Sequence, residues 1–195
     1  MRRILVAGLL GFLAAAHAQQ APDPKRLGMI WNAANDRMAR QADAWFKDGD
    51  YPRSVQLLWF HYELDPTNYE NGTNLGWMLE NIEQFDRALA VYIELRTSNP
   101  TEPDCAWPEA NFYSQRQAFA KIPPILEPTI KDHDPHGNTY RTLAHAYEKL
   151  NMLADSKRVW ELFLAKHPSD PTAGAAKVNL NRVLKKLKEG SADKT

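Results

Sequence analysis

The chain has 195 residues, 44% of them hydrophobic, with 24 basic side chains balancing 24 acidic ones. That length suits one domain of roughly 100–200 residues, and the zero balance removes the electrostatic footprint of a nucleic-acid binder. A single cysteine, Cys105, excludes an intramolecular disulfide framework and a Cys-based zinc ribbon.

Arg2 and Arg3 give the chain a basic start, and Ile4 to Ala16 follows as an uncharged apolar run. Ala16-His17-Ala18 then supplies the small-x-small pattern of a signal peptidase site. The apolar run is shorter than the roughly 17–25 residues that a membrane-spanning helix needs. Residues 1–18 are therefore expected to be a cleaved signal peptide and 19–24 a short linker, making the protein periplasmic or secreted. No cysteine stands at the cleavage site to carry a lipid anchor, and no later segment is apolar enough to span a membrane. Removal of the leader takes two arginines and no acid, leaving 22 basic against 24 acidic side chains, a charge of −2.

The remainder falls on a period. Pro66, Pro100 and Pro168 follow helical apolar runs, at separations of 34 and 68 residues. In 35–68, Met38, Ala42 and Trp45 form one stripe and Ser54, Leu58 and His61 a second, with Gly49-Asp50-Tyr51 as the turn. In 69–102, Leu75, Gly76 and Leu79 are followed by Ala88, Tyr92 and Leu95. In 137–170, Tyr140, Leu143, Ala144 and Tyr147 are followed by Ser156, Trp160 and Phe163. Each unit reads as two amphipathic helices joined by a short turn. Small residues (Ala42, Gly76, Ala144; Ser54, Ala88, Ser156) sit where two backbones approach, and large ones fill the space beside them. Proline then ends each pair.

The segment 103–136 has the length of a unit without its pattern. Trp107, Phe112, Tyr113 and Phe119 offer a first helix, Pro123-Pro124 a break, and Ile125 to Asp132 a short second helix with Pro128 in its first turn. It reads as a degenerate repeat or as an irregular insertion. At the ends, Leu27, Ile30, Trp31 and Ala34 extend the first helix backwards. Asp170-Pro171 starts a capping helix, 171–189, with Leu180, Val183, Leu184 and Leu187 on one face and Arg182, Lys185, Lys186 and Lys188 outward. Residues 190–195 are expected to be a disordered tail.

Leu75-Gly76, Phe85, Ala88, Tyr92, Leu95 and Pro100, and their counterparts in the other two units, resemble the tetratricopeptide repeat (TPR) family. The resemblance implies an all-α, right-handed solenoid of three to four helical hairpins over 25–189. It also implies a groove lined by the first helix of each unit, which takes a peptide or a helix. The non-core faces of those helices carry Arg40, Asp43, Phe46 and Lys47; Thr73, Asn74, Trp77, Glu80 and Asn81; and Arg141, Thr142, His145 and Glu148. Trp77 is not needed by the core stripe and is the strongest binding candidate, although packing against a neighbouring repeat would also explain it. The Lys/Asn carboxylate clamp of some relatives is not reproduced, because Ala39 and Asp43 stand at its places in the first unit.

No phosphate loop, nucleophile elbow or zinc-protease motif is present. Asp132-His133-Asp134-Pro135-His136 offers four candidate ligands in five residues, in a stretch where Asp and His also serve turns. His61 is expected as a packed core residue, His145 as a surface residue, and Cys105 as an inert thiol. Asn71-Gly72-Thr73 is a glycosylation sequon that can equally begin a helix. The sequence reading is therefore a non-enzymatic, cofactor-free module. It binds a protein partner of unknown identity, with self-association a further possibility. The alternative is an exported metal-binding protein or hydrolase centred on His133 and His136.

Overall fold

The computed structural model describes residues 23–192. The expected signal peptide, 1–18, lies outside the described residues, as do 19–22 and 193–195. The described chain is all-α: α1 (Pro24–Lys47), α2 (Tyr51–Leu64), α3 (Tyr69–Asn81), α4 (Phe85–Ser98), α5 (Trp107–Gln115), α6 (Pro123–Asp132), α7 (Gly137–Lys149), α8 (Leu153–Lys166) and α9 (Ala173–Ala192). Two short 3-10 turns flank α5, at Pro103–Ala106 and Phe119–Lys121.

The chain divides into two units, 1–37 and 38–195. In the first, Asp23 caps the start of α1 by accepting the Lys25 N–H at 3.0 Å. Its apolar residues Leu27, Met29, Ile30 and Trp31 are exposed.

The second unit is a stack of helical hairpins, and its turns share one geometry. Gly49, Glu83, Gln117 and Asn151 have φ of 77°, 61°, 57° and 59°, at intervals of 34 residues. After each, the next N–H reaches back to the carbonyl five residues earlier: Asp50 to Trp45, Gln84 to Leu79, Ala118 to Tyr113 and Met152 to Tyr147, all at 2.8–2.9 Å. This left-handed closure satisfies carbonyls that a helix end leaves unpaired. It comes free to glycine and at about 1–2 kcal/mol to other residues.

The middle hairpin shows what sets the helix separation. Leu75, Leu79, Ala88 and Leu95 are fully buried. A Cβ placed on Gly76 would stand 2.2 Å from Cε1 of Tyr92. Tyr92 cannot swing aside, because it is buried and its hydroxyl donates to Glu80 Oε1 at 2.9 Å. The last hairpin repeats the arrangement with Ala144 beside Trp160, both fully buried. Here Ser156 Oγ donates across the hairpin to the Ala144 carbonyl at 2.8 Å. Ser54 makes the matching bond to the Ala42 carbonyl at 3.4 Å. The first hairpin is closed less well: Met38, Trp45, Leu58 and His61 are only half-buried. His61 is therefore not the core residue expected from the positions of Leu95 and Phe163.

The segment 103–136 keeps the period while changing the chemistry. Ala110 and Leu126, both fully buried, occupy the places of Gly76 and Tyr92. Glu109 takes the place of Leu75, buried and held by Arg96 Nε at 2.6 Å. Ile122 takes the place of Ala88. Pro123-Pro124 starts α6 instead of breaking the chain, since the first turn needs no amide hydrogen. Pro128 consequently lies in the helix interior, not its first turn. It is exposed, as is Pro124, so the carbonyl that it leaves unpaired on Pro124 can meet water. α9 closes the stack with Val183 buried. It starts two residues later than expected, after Asp170 Oδ1 accepts from the Thr172 N–H at 2.7 Å, and it runs helical to Ala192.

Two substitutions test this account by thermal unfolding. Gly76→Ala should lower stability by about 1–3 kcal/mol through overpacking, despite its better helix propensity. Glu83→Gly should raise it by up to about 1 kcal/mol by relieving the left-handed residue.

Candidate functional site

The first helices supply the surface that the repeat pattern implicates, and much of it is already used to hold the stack together. Glu80 on α3 accepts Arg116 Nη1 at 3.0 Å from one repeat further on, beyond the end of α5. The Arg116 guanidinium lies over the Phe85 and Phe112 rings, 4.4 and 3.6 Å from their centroids. On α7, Glu148 accepts Arg182 Nε and Nη2 of α9 at 2.9 and 2.6 Å and Lys186 Nζ at 2.8 Å. Glu80 and Glu148 are 68 residues apart. They form two equivalent rungs of charged bonds, each tying a first helix to the segment about one repeat further on. The Arg182 hydrogen bonds hold the Glu148 carboxyl down at about 2, against the opposing effect of burial and with help from Lys186.

His145 is not the free surface residue expected. Its ring stands edge-on to Trp160 at 5.0 Å and 83°. Burial, with Arg182 nearby, lowers its pKa. Arg141 and Thr142 are half-buried, and Thr142 Oγ1 accepts Trp107 Nε1 at 3.1 Å. Thr73 Oγ1 donates to the Tyr69 carbonyl at 2.8 Å. Asn81 Nδ2 donates to the Trp77 carbonyl at 2.8 Å.

The remaining candidates gather around an open cavity of about 380 Å³ between the end of α1, α2 and α3. Phe46, Leu58, Trp77 and Met78 form its apolar wall, and Asp43, His61, Glu70, Asn71 and Asn74 its polar one. Trp77 is 50% exposed, and its ring meets Phe46 at 5.5 Å and 52°. It is thus partly covered by the neighbouring repeat and partly free. Asp43 binds Lys47 at 2.7 Å, with both side chains exposed. Arg40 is exposed beside the groove and is not part of its lining. The structure therefore brings Asp43, Phe46, Asn74 and Trp77 to one place. It commits Glu80 and Glu148 to structure. Leu58, His61, Glu70 and Met78 had no part in the expected site. The phase of Leu58 and His61 points them into the core, but the first hairpin closes less far than the others and leaves both half-buried.

The other features are plainer. Asp134 Oδ1 accepts the Tyr140 hydroxyl at 2.9 Å, and His167 Nε2 lies 3.1 Å from the same oxygen. The backbone N–H of His136 donates to Asp104 at 2.9 Å. Among the described residues no three His, Cys, Asp or Glu side chains are grouped to hold a metal. The Asp132–His136 loop ties helices together in this structure. Cys105 is buried, and burial raises its pKa to about 11, which suppresses the reactive thiolate. Asn71 of the sequon is nine-tenths buried, with its amide turned to the His61 and Asp65 carbonyls at 3.4 and 3.5 Å. No described helix is long and apolar enough to cross a membrane.

No family model and no curated relative matches the chain significantly. Solved structures do. MamA 41-end from Desulfovibrio magneticus RS-1 is 13% identical, with a TM-score of 0.54, over 79% of this chain and 91% of that one. Another MamA structure is 15% identical, with a TM-score of 0.55, over 78% of this chain and 87% of that one. A tetratricopeptide repeat protein from Parabacteroides merdae is 13% identical, with a TM-score of 0.57; the match covers 80% of this chain and 61% of that one. At such identities the likeness is one of fold: this chain is an all-α, TPR-like stack of helical hairpins.

The ladder makes a pH-dependent prediction. Because the Glu148 carboxyl is held low, its contribution is complete above the ordinary carboxylate pKa of about 4.3. It is lost as pH falls toward 2. Glu148→Gln should cost about 1–3 kcal/mol at pH 7, and its difference from the parent should shrink between pH 4.5 and 2 in urea titrations.

Proposed function

We propose that this chain is a non-enzymatic interaction module that binds a segment of a partner protein in the groove between α1, α2 and α3. The observation that carries the reading is the contrast along the stack. Glu80 and Glu148 are consumed by intramolecular ion pairs, whereas the first hairpin leaves a 380 Å³ apolar and aromatic cavity open, with Trp77 on its rim. A half-exposed tryptophan next to a concave apolar wall is the usual anchor of a protein interface. The TPR-like fold supports the same reading by analogy of fold. Export to the periplasm or beyond is part of the proposal and rests on the leader pattern of residues 1–18 alone.

Trp77→Ala should leave far-UV circular dichroism unchanged and stability within about 1 kcal/mol, since the side chain is half exposed. A photo-crosslinker placed at Asn74 should capture a discrete partner in the native compartment, and the capture should vanish in the Trp77→Ala background. Capture that survives the substitution would place the interface elsewhere.

A further inference from the structure

The groove's charge and its aromatic rings define the chemistry of its occupant. We infer that the partner segment is cationic, presenting a Lys or Arg beside a bulky apolar side chain; this rests on the groove reading above.

Three observations converge. First, the charged residues of the cavity lining, Asp43 and Glu70, are both acids, and the lining holds no lysine or arginine. Glu70 has no ion-pair partner among the described residues, and Asp43 has only the exposed i,i+4 contact to Lys47, a pairing weak enough to yield to a better-placed cation. Arg40, exposed nearby, faces neither carboxylate at ion-pair distance.

Second, the chain's own cations already lie over four of its aromatic rings. Arg87 lies over Trp59, Arg116 over Phe85 and Phe112, and Lys166 over Tyr140. Among the described residues no cation lies over Phe46 or Trp77, whose rings meet at a tilt of 52° and 5.5 Å and leave Trp77 half exposed. A guanidinium or ammonium on the free face of Trp77 would gain the attraction that the internal pairs already use.

Third, the apolar wall of Phe46, Leu58, Trp77 and Met78 gives a neighbouring side chain of the partner a place to bury. Methionine and aromatic surfaces adapt to such anchors. Acidic segments are disfavoured by the same carboxylates.

A displayed library of random twelve-residue peptides, selected on the full chain, tests this. The expected result is enrichment of Lys or Arg within one helical turn of Phe, Trp, Leu or Met. Affinity should fall at least tenfold in Glu70→Lys and in Trp77→Ala, and should weaken as salt is raised. Binders that need Trp77 but are neutral or acidic would overturn the cationic assignment and leave the groove standing. Recovery of no binders, or only of binders indifferent to Trp77→Ala, would overturn the groove itself. Glu70→Gln, which removes charge without reversing it, should give an intermediate loss; a loss as large as that of Glu70→Lys would point to sterics and overturn the charge argument.

Discussion

The contact between a missing side chain and a large one holds this stack together. Gly76 lets α3 approach α4 until its backbone meets the Tyr92 ring, and any Cβ there would fall 2.2 Å from that ring. Ala144 against Trp160 and Ala110 near Leu126 repeat the arrangement at other periods. Because each helix pair is fixed at this separation, the turns between helices have little freedom. The same left-handed closure recurs at Gly49, Glu83, Gln117 and Asn151 even where the residue is not glycine. Local strain at three of these turns is tolerated because burial on either side determines the geometry.

The period also distributes the charges. A glutamate late in a first helix finds an arginine about one repeat further on, so Glu80 meets Arg116 and Glu148 meets Arg182. Residues that look like a polar binding face are thereby turned into bonds between neighbouring repeats, and the available surface moves toward the first hairpin. There the small residues Ala42 and Ser54 still bring the helices together. The large residues Trp45, Leu58 and His61 stay half-buried, and the cavity opens where a full core would otherwise lie.

The sequence made the hairpins legible because small and large residues recur at fixed phase, and because proline and the turn residues punctuate them. Pattern alone also singled out Trp77, which lies off the core stripe. Position along a helix does not reveal which polar residues find partners: Glu148 was legible as a groove residue, yet its carboxylate is held by Arg182 and Lys186. The signal for that pairing is the arginine about one repeat later, whose pattern alone marks it as an outward-facing charge. The segment 103–136 was harder because Glu109 replaces an apolar core residue and is neutralised by Arg96, while prolines act as helix starters. His61 and Leu58 were misplaced for a different reason. Equal phase does not mean equal burial, because burial depends on how far the hairpin closes.

Packing is graded along the second unit, and the proposed groove lies where packing is least complete. Native-state hydrogen exchange reads this directly, since exchange free energies follow local burial. Amides of residues 38–47 and of α2 should exchange markedly faster than those of α3–α4 and α7–α8, and should slow when a groove-directed peptide is added. Equal protection across all the hairpins, or slowing confined to α7–α9 on peptide binding, would contradict it.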